Sequence, residues 1–110
     1  MTENTRIKSK VDKLDLSPKQ FAIVTELLQK NLPNHQAWAF GSRTTGRARK
    51  YSDLDIAVGH TQALSFQKLC QLSRAFKESD LDICVDMVDW QQASPAFRRS
   101  VEQSGMLRVQ

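Results

Sequence analysis

The stretch Gly41 to Val58, GSRTTGRARKYSDLDIAV, constrains this chain more than any other. Its second half reads as a strand carrying two aspartates, Asp53 and Asp55, one residue apart. Alternate residues of a strand project from one face, so the two carboxylates stand together while Leu54, Ile56 and Val58 turn to the other side. Like charges side by side repel, and the arrangement is most easily tolerated with a cation between them; hard oxygen donors of this kind suit Mg²⁺. Ahead of the strand, Gly41-Ser42 lets the backbone bring its N–H groups close to a ligand, and Arg43 offers five donors fit for phosphate. Phosphate-holding donors beside metal-holding carboxylates describe a site for a nucleotide and its Mg²⁺. The plainer readings are a strand edge with two solvated acids, a surface salt bridge for Arg43, and a helix cap for Ser42, which is compatible with anion binding at the same helix N-terminus.

With these residues in view, the segment resembles the signature of the nucleotidyltransferase superfamily that includes DNA polymerase β, a G-S followed some way on by D-x-D. GSR, then Gly46, then SDLDIAV is similar, more narrowly, to the minimal nucleotidyltransferase (MNT) group. The resemblance implies an α/β (α+β) fold: a small mixed sheet with helices packed on one face and the active site on the open face. It also implies a further acidic residue on a following strand, completing a set that binds two Mg²⁺ ions with ATP.

At 110 residues the chain has room for one domain and one core, not for a second acceptor-binding module. Its 40% hydrophobic and 25% charged content is that of an ordinary soluble protein. No apolar run approaches the roughly 20 residues of a membrane span, and MTENTRIKSK lacks the apolar core of a signal peptide, so a cytoplasmic location is expected. Cys70 and Cys84 have no metal-ligand spacing and are expected to be buried, reduced thiols. The net charge of +4 includes Arg43, Arg47, Arg49 and Lys50 inside the motif, and the last three divide between a solvated loop and contact with triphosphate or acceptor. Without a helix-turn-helix, zinc finger or aromatic stacking platform, direct nucleic-acid binding is not expected.

Residues 1–16 are polar and aperiodic and read as a loosely held arm, with the domain proper over 17–110. Ser17-Pro18-Lys19-Gln20 has the form of a capping box. Phe21, Val24, Leu27, Leu28 and Leu32 then repeat at helical spacing up to Pro33. QAWAF, Gln36 to Phe40, reads as a strand feeding the Gly41-Ser42 turn, with a short helix and exposed loop to follow. Thr61 to Lys77 has a helical period through Leu64, Leu69, Leu72 and Phe76. Ser94-Pro95 opens a last helix to about Gln103, and Met106 to Val109 fits a terminal strand or an apolar tail that docks on something. His35 and His60 read as solvated turn residues.

Leu81 to Trp90 alternates as a strand, with Leu81, Ile83, Val85 and Met87 on one face and Asp82, Cys84, Asp86 and Val88 on the other. If the apolar face packs beside Leu54 and Ile56, Asp86 shares the open face with Asp53 and Asp55. Asp86 is therefore the preferred third carboxylate. Asp82, on the same face, lies near the strand's start and fits a solvated turn. Asp89 has the opposite parity and is expected to be exposed at the strand's end, and Asp80 belongs to the turn before the strand.

These residues fit in-line attack of a hydroxyl on the α-phosphate of a nucleoside triphosphate. Asp53 and Asp55 would hold the nucleotide's metal, Asp86 the second metal and the incoming hydroxyl, and Gly41, Ser42 and Arg43 the phosphates. The MNT resemblance implies the acceptor: a tyrosine of a partner HEPN-domain toxin, AMPylated by the MNT protein as its antitoxin. Trp38, Trp90, Phe97 and Leu107 have no evident place in so small a core and would suit such a contact. The alternative is a nucleotide-binding module that neutralises its partner by occupying it, without catalysis.

Overall fold

The computed structural model describes residues 14–59 and 64–110. Helix α1, Pro18–Asn31, starts on the expected capping box: the Ser17 hydroxyl accepts the Gln20 N–H at 3.1 Å, and the Gln20 side chain accepts the Ser17 N–H at 2.9 Å. It stops where Pro33 approaches, with the Leu32 N–H closing on the Leu28 carbonyl. Strand β1, Gln36–Phe40, runs into the four-residue helix α2, Ser42–Thr45, and strand β2 spans Leu54–Gly59. Helix α3, Phe66–Lys77, is capped by Ser65, whose hydroxyl accepts the Lys68 N–H. Strand β3, Val85–Asp89, leads through a 3₁₀ turn at Trp90–Gln92 to helix α4, Pro95–Ser104, and the short strand β4, Leu107–Arg108.

The strands form one mixed sheet in the order β3-β2-β1-β4. β1 is antiparallel to β2 and β4, whereas β2 and β3, joined through α3, are parallel. Ala37 and Ala39 of β1 and Leu54, Ile56 and Val58 of β2 are buried on one face with Val24 and Leu28 of α1 and Leu72 and Phe76 of α3. This is the expected helix-covered face, and it leaves Trp38, Phe40, Asp55, Ala57, Asp86 and Val88 on the other. Over the β1 side of that second face, the Phe97 ring of α4 meets Phe40 edge-on at a centroid distance of 5.9 Å.

Several expectations need correction. The domain does not begin at Ser17: Leu14 is in the core, Leu16 packs against it, and the Asp15 N–H donates to the Arg43 carbonyl at 2.8 Å. Residues 1–13 of the expected arm lie outside the described residues, as do His60 and the first residues expected in α3. β3 is shorter than the alternating pattern from Leu81, because Asp82 is drawn toward the start of α1, where its Oδ1 accepts the Gln20 amide at 2.8 Å. Both cysteines are exposed: Cys70 lies off the Leu72 and Phe76 stripe, and Cys84 lies just before β3, next to buried Ile83.

His35 is half-buried, its carbonyl accepting the Gln110 side-chain amide at 2.9 Å. Most of the apolar residues without an evident place have partners within the chain. Arg108 lies over the Trp38 ring, Arg98 lies over Trp90, and Leu107 packs against the core; Phe97 alone of the four counts among the exposed large hydrophobics, with Tyr51 and Phe66.

Candidate active site

Two strand pairings assemble the site. In the antiparallel pair Asp55 sits opposite Phe40, the residue before Gly41, and in the parallel pair it sits opposite Asp86. The Gly41 turn and the second strand acid thus meet on either side of Asp55. Gly41 has φ +83° and ψ −153°, a conformation open essentially to glycine alone. A Cβ built there would overlap the Asp55 carboxylate. The missing side chain is therefore what allows Asp55 to lie against the turn.

Asp53 is exposed just before β2, Asp55 is half-buried, and Asp86 is exposed on β3. The Asp55 carboxyl is held above the ordinary carboxylate range, first by burial, then by the charge of Asp86, then by that of Asp53. All three acids share one electrostatic neighbourhood, as the strand parities require. Among the described residues no three His, Cys, Asp or Glu side chains are gathered tightly enough to hold a metal ion unaided. A cation at this edge would draw further oxygen ligands from whatever else it binds.

Arg43 is not where the phosphate role requires it. Its side chain is 4% exposed and its guanidinium donates to the backbone carbonyls of Ser52, Asp15, Arg49 and Lys50. Neither phosphate contact nor a surface salt bridge describes it. Ser42 is the first residue of α2 rather than its cap; Gly41 holds the cap position, and no side chain caps the helix. The N–H groups of Ser42 and Arg43 accordingly lack helical partners, whereas the Thr44 N–H donates to the Gly41 carbonyl at 3.0 Å. Arg47, Arg49 and Lys50 are exposed, with the Lys50 ammonium 5.3 Å from the centre of the Tyr51 ring.

Asp82 is exposed and bonded to Gln20, which holds its carboxyl below the ordinary range. It stands apart from the strand pairing that joins Asp55 and Asp86. Asp89, expected to be exposed, is buried: Oδ2 accepts the Leu64 N–H at 2.9 Å and the Gln92 amide at 3.3 Å, and Oδ1 accepts the Gln91 N–H. The signal was present in its parity, since Asp89 follows Val85 and Met87 onto the helix-covered face.

The profile of the family described as polymerase beta nucleotidyltransferase matches residues 22–108, nearly the whole described domain and every element of the site. The chain belongs to the polymerase β nucleotidyltransferase family. One relative of this nucleotidyltransferase, the probable protein adenylyltransferase MntA of Haemophilus influenzae, is 44% identical over 88 residues, covering 80% of this chain and 77% of the relative. Among solved structures, a toxin–antitoxin complex with AMP-PNP superposes with a TM-score of 0.70 at 28% identity, over 82% of this chain and 72% of that one. A tri-AMPylated Shewanella oneidensis HEPN toxin in complex with MNT antitoxin gives a TM-score of 0.62 at 26% identity, over 83% and 69%. Among the described residues of this nucleotidyltransferase, no helix is long and apolar enough to cross a membrane.

Proposed function

We propose that this nucleotidyltransferase is a Mg²⁺-dependent protein adenylyltransferase, moving AMP from ATP to a tyrosine hydroxyl of a HEPN-type toxin and so acting as its antitoxin. The observation that carries this reading is the pairing of Asp55 with Asp86 beside a glycine turn that only glycine can make. The relative named as a protein adenylyltransferase and the neighbour holding an AMPylated HEPN toxin support the acceptor class.

The donor set fits divalent cations: hard carboxylate oxygens from Asp53, Asp55 and Asp86, with Asp55 destabilised as an anion first by burial and then by the other two. Asp53 and Asp55 would hold the nucleotide-associated ion and Asp86 the other, and such ions, when bound, neutralise charge on the attacking and departing oxygens. The backbone N–H groups at Gly41-Ser42 would orient the phosphates, with Ser42 adding its hydroxyl. Asp86, exposed on the β3 side, would accept the proton of the incoming tyrosine as its oxygen bonds to the α-phosphorus and pyrophosphate leaves. With Arg43 committed to the interior, the exposed Arg47, Arg49 and Lys50 are left to meet the triphosphate or an acidic patch on the acceptor.

The test is transfer of label from α-labelled ATP to the HEPN partner. Label should appear on the partner with Mg²⁺ and disappear with EDTA or with Asp55→Asn. Neutralisation of the toxin by Asp55→Asn without label transfer would instead establish the non-catalytic binding module.

A further inference from the structure

The loop between α2 and β2 has little regular structure of its own, yet it delivers Asp53 to the site. Its carbonyls turn inward onto one side chain. The Arg43 Nε and Nη2 both reach the Ser52 carbonyl, at 3.1 and 3.0 Å, while Nη2 also reaches Lys50 at 3.0 Å and Arg49 at 3.2 Å. Nη1 donates to the Asp15 carbonyl at 2.7 Å, and the Asp15 N–H returns a bond to the Arg43 carbonyl at 2.8 Å. Buried carbonyls need donors, and here a planar five-donor fork replaces a hydrogen-bonded ladder.

We propose that Arg43 is a positioning residue of the active site, a buried clamp that fixes the phosphate-side turn, the Asp53 loop and the segment at Asp15 relative to one another. The functional consequence rests on the adenylyltransferase reading above. Arg43 lies on the turn next to Ser42, and the carbonyl it grips twice belongs to Ser52, the residue before Asp53. The β2 strand begins only at Leu54, so Asp53 takes its position from the clamped loop as well as from the sheet. The loop closes on itself through the Ser52 N–H to the Arg49 carbonyl at 3.1 Å and the Arg49 N–H to the Ser52 hydroxyl at 2.8 Å. The clamp therefore moves it as one piece. Lysine keeps the charge but gathers its donors on one atom and cannot span these acceptors.

The test uses the full chain and compares Arg43→Lys with wild type and with Leu28→Val, a core variant on the helix-covered side. Conditions are set where far-ultraviolet circular dichroism shows all three folded. For Arg43→Lys the expected result is amide exchange across residues 47–53 faster by about tenfold or more, and a kcat for AMP transfer lower by about 10- to 100-fold with a smaller change in KM for ATP. Leu28→Val should lower the melting temperature and change neither quantity. Folded Arg43→Lys with wild-type kcat and unchanged exchange at 47–53 overturns the assignment.

If Arg43→Lys fails to fold, nuclear magnetic resonance on the wild type decides. Slow exchange of the Arg43 Nε–H together with the Ser52 amide upholds the clamp, and exchange of both at free-chain rates overturns it. These exchange measurements need no reaction. A wild type that transfers no AMP would thus sink the proposed function and still leave the clamp legible.

Discussion

Asp55 stands directly opposite Asp86 across the parallel pairing of β2 and β3, and its carboxyl is harder to ionise for it. Burial is the larger cause and the Asp86 charge the next. A carboxyl whose folded pKa is raised binds its proton more readily in the folded state, so its ionisation works against folding.

Asp55→Asn should accordingly abolish transfer while raising the melting temperature of the cation-free protein. The gain is on the order of a few °C, because solvent still screens a half-exposed group. The cost being removed begins where the unfolded carboxyl ionises and is complete once Asp55 is ionised in the fold as well. The difference between variant and wild type should therefore be full above the raised pKa, shrink as pH falls from there, and be gone below the ordinary carboxylate value of about 4. Calorimetric melts of both proteins from neutral to acidic pH measure this; a destabilised variant at neutral pH would contradict it.

Gly41→Ala places a methyl group where the Asp55 carboxylate lies and forces alanine into a left-handed conformation. The backbone strain alone is about 1–3 kcal/mol. Urea unfolding should show at least that loss, and AMP transfer should fall even at temperatures where the variant is folded.

Asp86 and Asp89 are three residues apart on one strand, face opposite sides of the sheet, and should give opposite phenotypes. Asp86→Asn is expected to remove activity with a small gain in stability, because it lifts one of the charges that press on Asp55. Asp89→Ala removes the acceptor of the buried Leu64 N–H, for a loss of about 1–3 kcal/mol, while the folded fraction retains its turnover. Denaturant melts run beside single-turnover transfer assays separate the two.

Gln20→Ala removes half of the capping box and the donor to Asp82. The cap is worth about 0.3–1.5 kcal/mol. Because the Gln20 bond holds the Asp82 pKa down, its support is present above the ordinary carboxylate pKa and lost as pH falls through the lowered one. The variant should therefore be most impaired near neutrality, and the gap should narrow in acid, as thermal melts across that range would show.

The fold was legible where local chemistry and periodicity agreed. Ser17-Pro18 and Ser94-Pro95 marked helix starts, Gln36 to Phe40 marked a strand, and the parity of Asp55 and Asp86 placed them on one face. Failures came where a residue's partners were distant in sequence. Nothing near Arg43 shows that the Asp15 carbonyl will sit 2.7 Å from its guanidinium, so the local sequence offers only a charge that points to phosphate. Leu14 sits among polar residues in the sequence, and its core neighbours lie elsewhere in the chain. Asp89 was different: its parity pointed to the covered face, but a carboxylate there requires donors, and one of them, the Leu64 N–H, is 25 positions away.

The clamp at Arg43 grips main-chain oxygens, which every amino acid supplies. Shape and chemistry of the loop from Arg47 to Tyr51 are thereby decoupled. On the proposed function, its outward side chains can be exchanged to suit a different acceptor without redesigning the support beneath, giving an enzyme of this size a region where specificity can drift while the proposed catalytic edge stays still.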